Sequence, residues 1–150
     1  MNIKLFVSIS IAAIIIAACA PIPATGGNTS PDVISGPLLM TADQVLGDNT
    51  VLVPEVRSVG PGWVVVHSVV AGTPGTVIGY SHVGDGLTTD LRVNIKLSEA
   101  TNTLIIVLHQ DKGIVGKFEY PGPDEPVMVN NRLVSEAFVI DTSFLTSEFY

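Results

Sequence analysis

The chain has 150 residues, 47% of them apolar and only 14% charged, with a single cysteine. That composition suits one packed domain and excludes a disordered polyelectrolyte, an intrachain disulfide and a cysteine-based zinc or redox motif. Fourteen acidic residues against seven basic ones give a formal net charge of −7, a field that argues against nucleic acid as a partner and against electrostatic docking on anionic lipid.

The N-terminus opens with Lys4 in a short positive segment, followed by an apolar run over 5–18. Fourteen residues are too few to span a bilayer, which needs roughly 20, so the run reads as the apolar region of a signal peptide. It ends on Ile16, Ala17 and Ala18, directly before Cys19. These four residues resemble a lipobox, the cleavage and lipidation signal of bacterial lipoproteins. The alternative is an ordinary secretory leader with Cys19 incidental.

The lipobox resemblance implies removal of residues 1–18 and a diacylglycerol thioether on Cys19, with a further acyl chain such as palmitate on its amine. Two acyl chains hold a protein on a membrane where one does so only marginally. The resemblance therefore implies a cell-membrane or outer-membrane location, with the rest of the chain extracytoplasmic. Lys4 leaves with the leader, so the mature chain carries 14 acidic and 6 basic residues, a net −8.

Residues 19–37 are dominated by Pro, Gly, Ser, Thr and Asn, with no apolar period. This segment reads as a flexible tether with a root-mean-square reach of about 20–25 Å.

From Leu38 to the end, short apolar runs alternate with Gly/Pro/Asp turns, a pattern that predicts an all-β domain over 38–150. The expected strands cover 38–46, 51–58, 63–70, 76–83, 89–97, 103–110, 114–120 and 132–140, with a short extended piece near 127–130. That makes about seven to nine strands in an antiparallel Ig-like β-sandwich. Leu91, Val93, Ile95 and Leu97 alternate with Arg92, Asn94 and Lys96, as in a strand with one face on a core and one in water. The runs at 63–67 and 103–109 are apolar on both faces and read as central strands. Pro54 would place its strand at an edge or mark a bulge. The stretch from Val64 to Tyr80 is echoed weakly from Ile106 to Lys117, as though one β-hairpin were repeated.

Two groups of residues carry a further resemblance. The first runs from Gly60 to His67 and on through Pro74 to Gly79. The second comprises Leu104 to His109, Asp111-Lys112-Gly113, Lys117 to Pro121 and Asp124 to Val127. Together they resemble an uncharacterised β-sandwich domain family found on archaeal surface proteins and exported bacterial proteins, over roughly 38–140. The resemblance implies an extracytoplasmic, Ig-like module and brings no activity or catalytic residue with it.

The candidate chemistry is sparse. His67, His82 and His109 lie 15 and 27 residues apart, which matches no compact metal motif. His67 and His109 each close a central strand. On antiparallel neighbours they are expected at opposite ends, whereas parallel-running hairpins would let them share copper or zinc. Asp85, Asp90, Asp111, Asp124 and Glu125 form no calcium loop and read as turn and solvation residues. No nucleophile elbow, zinc-protease helix or phosphate loop is present, so an enzyme would need an unrecognised hydrolase site. Trp63 is expected in the core. Tyr80, Phe118 and Tyr120 are candidates for a binding surface, and the apolar tail 144–150 for docking on the domain or on a partner.

The sequence thus points to a lipid-anchored, non-catalytic envelope module, without a cofactor beyond its lipid, whose ligand is an envelope protein or glycan. The alternative is a metal-binding lipoprotein using His67 and His109.

Overall fold

The structure, a computed structural model, describes residues 36–143. The leader, the lipobox with Cys19, the tether up to Ser35 and the tail 144–150 lie outside the described residues.

Among the described residues, ten strands and one 3-10 turn are assigned. β3 (Thr50–Ser58) lies between β1 (Leu38–Met40) and β6 (Gly86–Asn94) in a three-stranded sheet. A five-stranded sheet runs in the order β2 (Gln44–Val45), β10 (Ser135–Asp141), β7 (Thr103–Gln110), β4 (Gly62–Val70) and β5 (Thr73–Val83). β8 (Met128–Val129) and β9 (Arg132–Leu133) form a small separate hairpin. The fold is all-β, as the alternating pattern predicts. It is mixed rather than purely antiparallel, because β2 runs parallel to β10.

One apolar core takes side chains from both large sheets. Val51, Val53, Val56 and Val93 contribute from the first, and Val64, Val66, Leu104, Ile106, Leu108 and Phe138 from the second. Burying these aliphatic faces, at roughly 25 cal/mol per Å², is the main force holding the sheets together. The 91–97 alternation holds: Val93 and Ile95 are buried while Arg92, Asn94 and Lys96 are exposed. The strand itself ends at Asn94, and Leu97–Glu99 turn into the 3-10 element.

Three expectations are corrected. The single strand expected over 38–46 is two. β1 pairs with β3, then the chain crosses to the other sheet, where β2 pairs with β10. At the crossing the Gln44 side chain replaces a missing strand, donating to the Leu52 carbonyl at 2.7 Å and accepting from the Leu52 N–H at 2.9 Å. β3 is a central strand despite Pro54. β1 covers only Glu55 to Arg57, so the proline falls where its missing N–H has no strand to face.

The strand expected over 114–120 does not form, and with it goes the repeated hairpin. β4 and β5 are a hairpin, but β7 is followed by a folded loop over 111–127. Ile114 and Val115, the apolar residues that suggested a strand, are 59% and 70% exposed. The loop is instead held by carboxylates buried within it, described below.

Candidate functional site

The second face of the five-stranded sheet, turned away from the shared core, carries the chemistry. Residues 64, 66, 104, 106 and 108 point into the core, so alternation sends 63, 65, 67, 105, 107 and 109 the other way. The β4–β7 register opposes Trp63 to His109, Val65 to Val107 and His67 to Ile105. On β5, Tyr80 lies opposite Val65 and His82 opposite Trp63.

Loop 111–127 brings Phe118 and Tyr120 onto this face. Phe118 stacks on Tyr80 with ring centres 4.2 Å apart, and Trp63 meets Tyr80, His82 and Phe118 edge-on at 5.7, 4.9 and 5.4 Å. Trp63 is buried as expected, but in this aromatic layer and not among the aliphatic core residues. Tyr80, Phe118 and Tyr120, singled out in the sequence, are thus brought together.

Two buried carboxylates shape the loop. Asp124 is fully buried; its Oδ1 accepts the Lys112 N–H at 2.8 Å and its Oδ2 the Glu119 N–H at 2.7 Å. Asp111 accepts the Gly116 N–H at 2.8 Å and lies 3.1 Å from His82 Nε2. Both residues read in the sequence as solvated turn residues. The only signal against that reading is their position at the two ends of a Gly/Pro-rich segment. Asp85 reaches outside its own turn, accepting the N–H of Gly60, 25 residues away, at 2.7 Å.

His67 and His109 sit on antiparallel neighbouring strands, the case in which they are expected to stay apart. They do not. Each lies two residues beyond the Val65–Val107 pair, in opposite directions, so their backbones are about 13 Å apart along the strands. The side chains lean back over the two small valines, and the rings come within 6.1 Å, centre to centre, with planes 21° apart. A register shift in the β4–β5 pairing between Val66 and His67 adds local twist at the first of them. Tyr120 stands edge-on to both, 4.7 Å from His109 and 6.3 Å from His67.

Each imidazole is anchored by one nitrogen. His67 Nδ1 donates to the Gly75 carbonyl at 3.0 Å, and His109 Nδ1 to the Asp124 carbonyl at 2.8 Å. A carbonyl can only accept, so both protons sit on Nδ1 and both Nε2 atoms carry a lone pair. Both Nε2 atoms are buried with no partner. Burial pushes both pKa values below the ordinary 6.5, the carbonyl bonds opposing that shift only in part. Both rings are therefore neutral at physiological pH.

The pair borders a cavity of about 150 Å³. Its other walls are Pro74, Val107, Pro126 and Leu133, with Tyr120 supplying the one hydroxyl. A larger, more open concavity of about 400 Å³ lies between residues 42–48 and Arg92; there Gln44 is already engaged with Leu52. His82 takes no part in the pair and faces Asp111 instead.

Residues 37–141 match the sequence pattern of a family described as a domain of unknown function, DUF7282. The chain belongs to that family. No curated protein and no solved structure matches it. The match covers every strand described above, so the histidine pair and the loop that closes it lie wholly inside the DUF7282 domain. Among the described residues no helix is long and apolar enough to cross a membrane.

Proposed function

We propose that the chain is a lipid-anchored protein of the cell envelope, in which an Ig-like β-sandwich acts as a non-catalytic binding module. Its ligand site is the cavity between His67 and His109. The lipobox-like Ile16-Ala17-Ala18-Cys19 supports the anchor, and the core shared by two sheets supports the sandwich.

The observation that carries the binding role is the pair of buried, unpartnered Nε2 atoms. Leaving a buried acceptor unsatisfied costs about 1–3 kcal/mol, so two acceptors that no protein group meets, both bordering one cavity, suit an occupant of that cavity that bonds to them. A cavity of about 150 Å³ also falls below the roughly 300–1,000 Å³ of drug-sized ligand sites. That favours a small ligand over a glycan.

The test is the mass of the chain extracted from membranes of bacteria that express it with its leader. A polypeptide beginning at lipidated Cys19 is expected, with Cys19→Ser recovered unlipidated in the soluble fraction. Native mass spectrometry should show an additional bound species that His109→Asn lacks. An unmodified N-terminus removes the anchor, and a mass of polypeptide plus lipid alone removes the binding role.

A further inference from the structure

The histidine pair has the features of a metal site in its outer as well as its inner parts. Metal-ligating histidines characteristically donate their second nitrogen to a carbonyl or carboxylate, which fixes the tautomer and the ring orientation. Gly75 and Asp124 provide those carbonyls, at 3.0 and 2.8 Å. His67 and His109 are 3% and 1% exposed, and the nitrogen each has left over is buried and unpartnered. The spacing fits as well. Two imidazoles on opposite sides of one ion, each bound through Nε2 at about 2 Å, hold their ring centres about 6 Å apart. The observed separation is 6.1 Å.

The donor set selects among ions. Zinc takes four ligands in structural sites and three protein ligands in catalytic ones. Among the described residues no group of three His, Cys, Asp or Glu side chains comes together as a ligand set. The remaining walls are two prolines, a valine and a leucine, with Tyr120 at the mouth. Two neutral nitrogens bring no charge to offset that of the ion. The cost of burying an ion rises with the square of its charge, so a dication pays about four times what a monocation does. A monovalent, imidazole-seeking ion that is content with two ligands meets every one of these conditions.

We propose that His67 and His109 bind one copper(I) ion through their Nε2 atoms, in the cavity that Tyr120 closes. This rests on the reading of the pair as the ligand site of the binding module. Copper(I) needs no anionic ligand here and no further protein donor. Silver(I), with the same charge and the same preference for two nitrogens, is a redox-inert stand-in. Tyr120 and Leu133 are the two exposed walls of the cavity, so the ion enters past their side chains.

The experiment uses the full mature chain in detergent micelles, titrated anaerobically with copper(I) against bathocuproine. One equivalent should be withdrawn from the chelator. His67→Asn and His109→Asn should each weaken uptake by more than the about 10- to 100-fold that loss of an outer-shell partner costs. Asparagine keeps an amide N–H for the Gly75 or Asp124 carbonyl while removing Nε2. His82→Asn should leave uptake unchanged.

Should an asparagine variant misfold, nitrogen NMR of histidine-labelled wild-type chain decides instead. Silver(I) should move the Nε2 resonances of His67 and His109 and leave those of His82 in place. Uptake undiminished in both folded asparagine variants, or unmoved Nε2 resonances, overturns the site. Stoichiometric zinc uptake in preference to copper(I) overturns the ion. Absent copper(I) uptake, a bound species lost in His109→Asn overturns copper but leaves the binding module standing; no bound species of any kind overturns both.

Discussion

His109 and Asp124 are joined through the side chain of one and the backbone of the other: the imidazole donates Nδ1–H to the Asp124 carbonyl at 2.8 Å. The Asp124 carboxylate meanwhile accepts two N–H groups from loop 111–127, at 2.8 and 2.7 Å. One residue thus folds the loop that brings in Tyr120 and sets the direction of the histidine beneath it.

That double role makes Asp124 the most sensitive position in the loop. An asparagine in its place would offer one acceptor where two N–H groups converge and would turn an amide N–H towards the other. Hydrogen bonds to a buried carboxylate are worth about 1.5–3 kcal/mol each. Asp124→Asn is therefore expected to destabilise the chain by about 2–3 kcal/mol, read from urea unfolding monitored by circular dichroism. Glu125→Gln is the control. Glu125 is exposed and sits 3.9 Å from an exposed Lys112, a pair worth at most about 1 kcal/mol. Equal losses in the two variants would deny Asp124 its role.

Gly79 in β5 predicts a second asymmetry. It bridges to Ile95, and the Ile78 carbonyl accepts the Lys96 N–H at 2.8 Å, so the end of β6 closes on β5 at this point. A Cβ on Gly79 would collide with the Asn94 carbonyl oxygen and come within 2.9 Å of Ile95 Cγ2. Gly79→Ala should cost about 1–3 kcal/mol through overpacking. Gly116, its counterpart in the apparent repeat, has open space around it but a φ of +80°. Gly116→Ala should cost about 1 kcal/mol through backbone strain alone. Thermal unfolding of the two variants checks the order.

These cases show what is legible in the sequence. The strands from β3 to β7 follow from alternation and turn residues, because burial of one or both faces leaves a direct mark on residue type. Loop 111–127 defeats that reading because Ile114-Val115 and the alternation from Lys117 to Tyr120 imitate a strand. What prevents one is a pair of buried carboxylates, and burial of an acidic residue leaves no mark on its type. The histidines are visible as candidates, but their meeting is not. It depends on the β4–β7 register, on two small valines between them and on side chains leaning along the strand direction, none of which spacing in the chain encodes.

Trp63 provides a third expectation. It is the only tryptophan, and its Nε1 is buried without a partner. Trp63→Phe loses apolar area but also removes an unsatisfied donor, and burying such a donor costs about 1–3 kcal/mol. The two effects offset, so the variant should lie within about 1 kcal/mol of the parent in urea unfolding. Trp63→Leu surrenders the edge-on contacts with Tyr80, His82 and Phe118 and should fall by about 2 kcal/mol or more. A loss as large in the phenylalanine variant would mean that Nε1 has a partner after all.

The neutral histidines make stability depend on pH in a stated direction. Burial holds His67 and His109 below 6.5 in the folded, metal-free chain, whereas both return to about 6.5 on unfolding. Above that value neither state binds a proton at these rings and stability is intact. As pH falls through 6.5 towards the folded-state values, the unfolded chain takes up protons that the native one refuses, and stability is lost. The urea midpoint, measured with chelator present, should hold steady from about pH 8 to 7 and decline from about pH 6.5 to 5. The double variant His67→Asn/His109→Asn retains His82 and every carboxylate, so the difference between the two curves isolates the pair. A variant curve that declines as steeply as the parent's would mean that the folded rings take up protons as readily as the unfolded ones, so that burial does not hold them neutral.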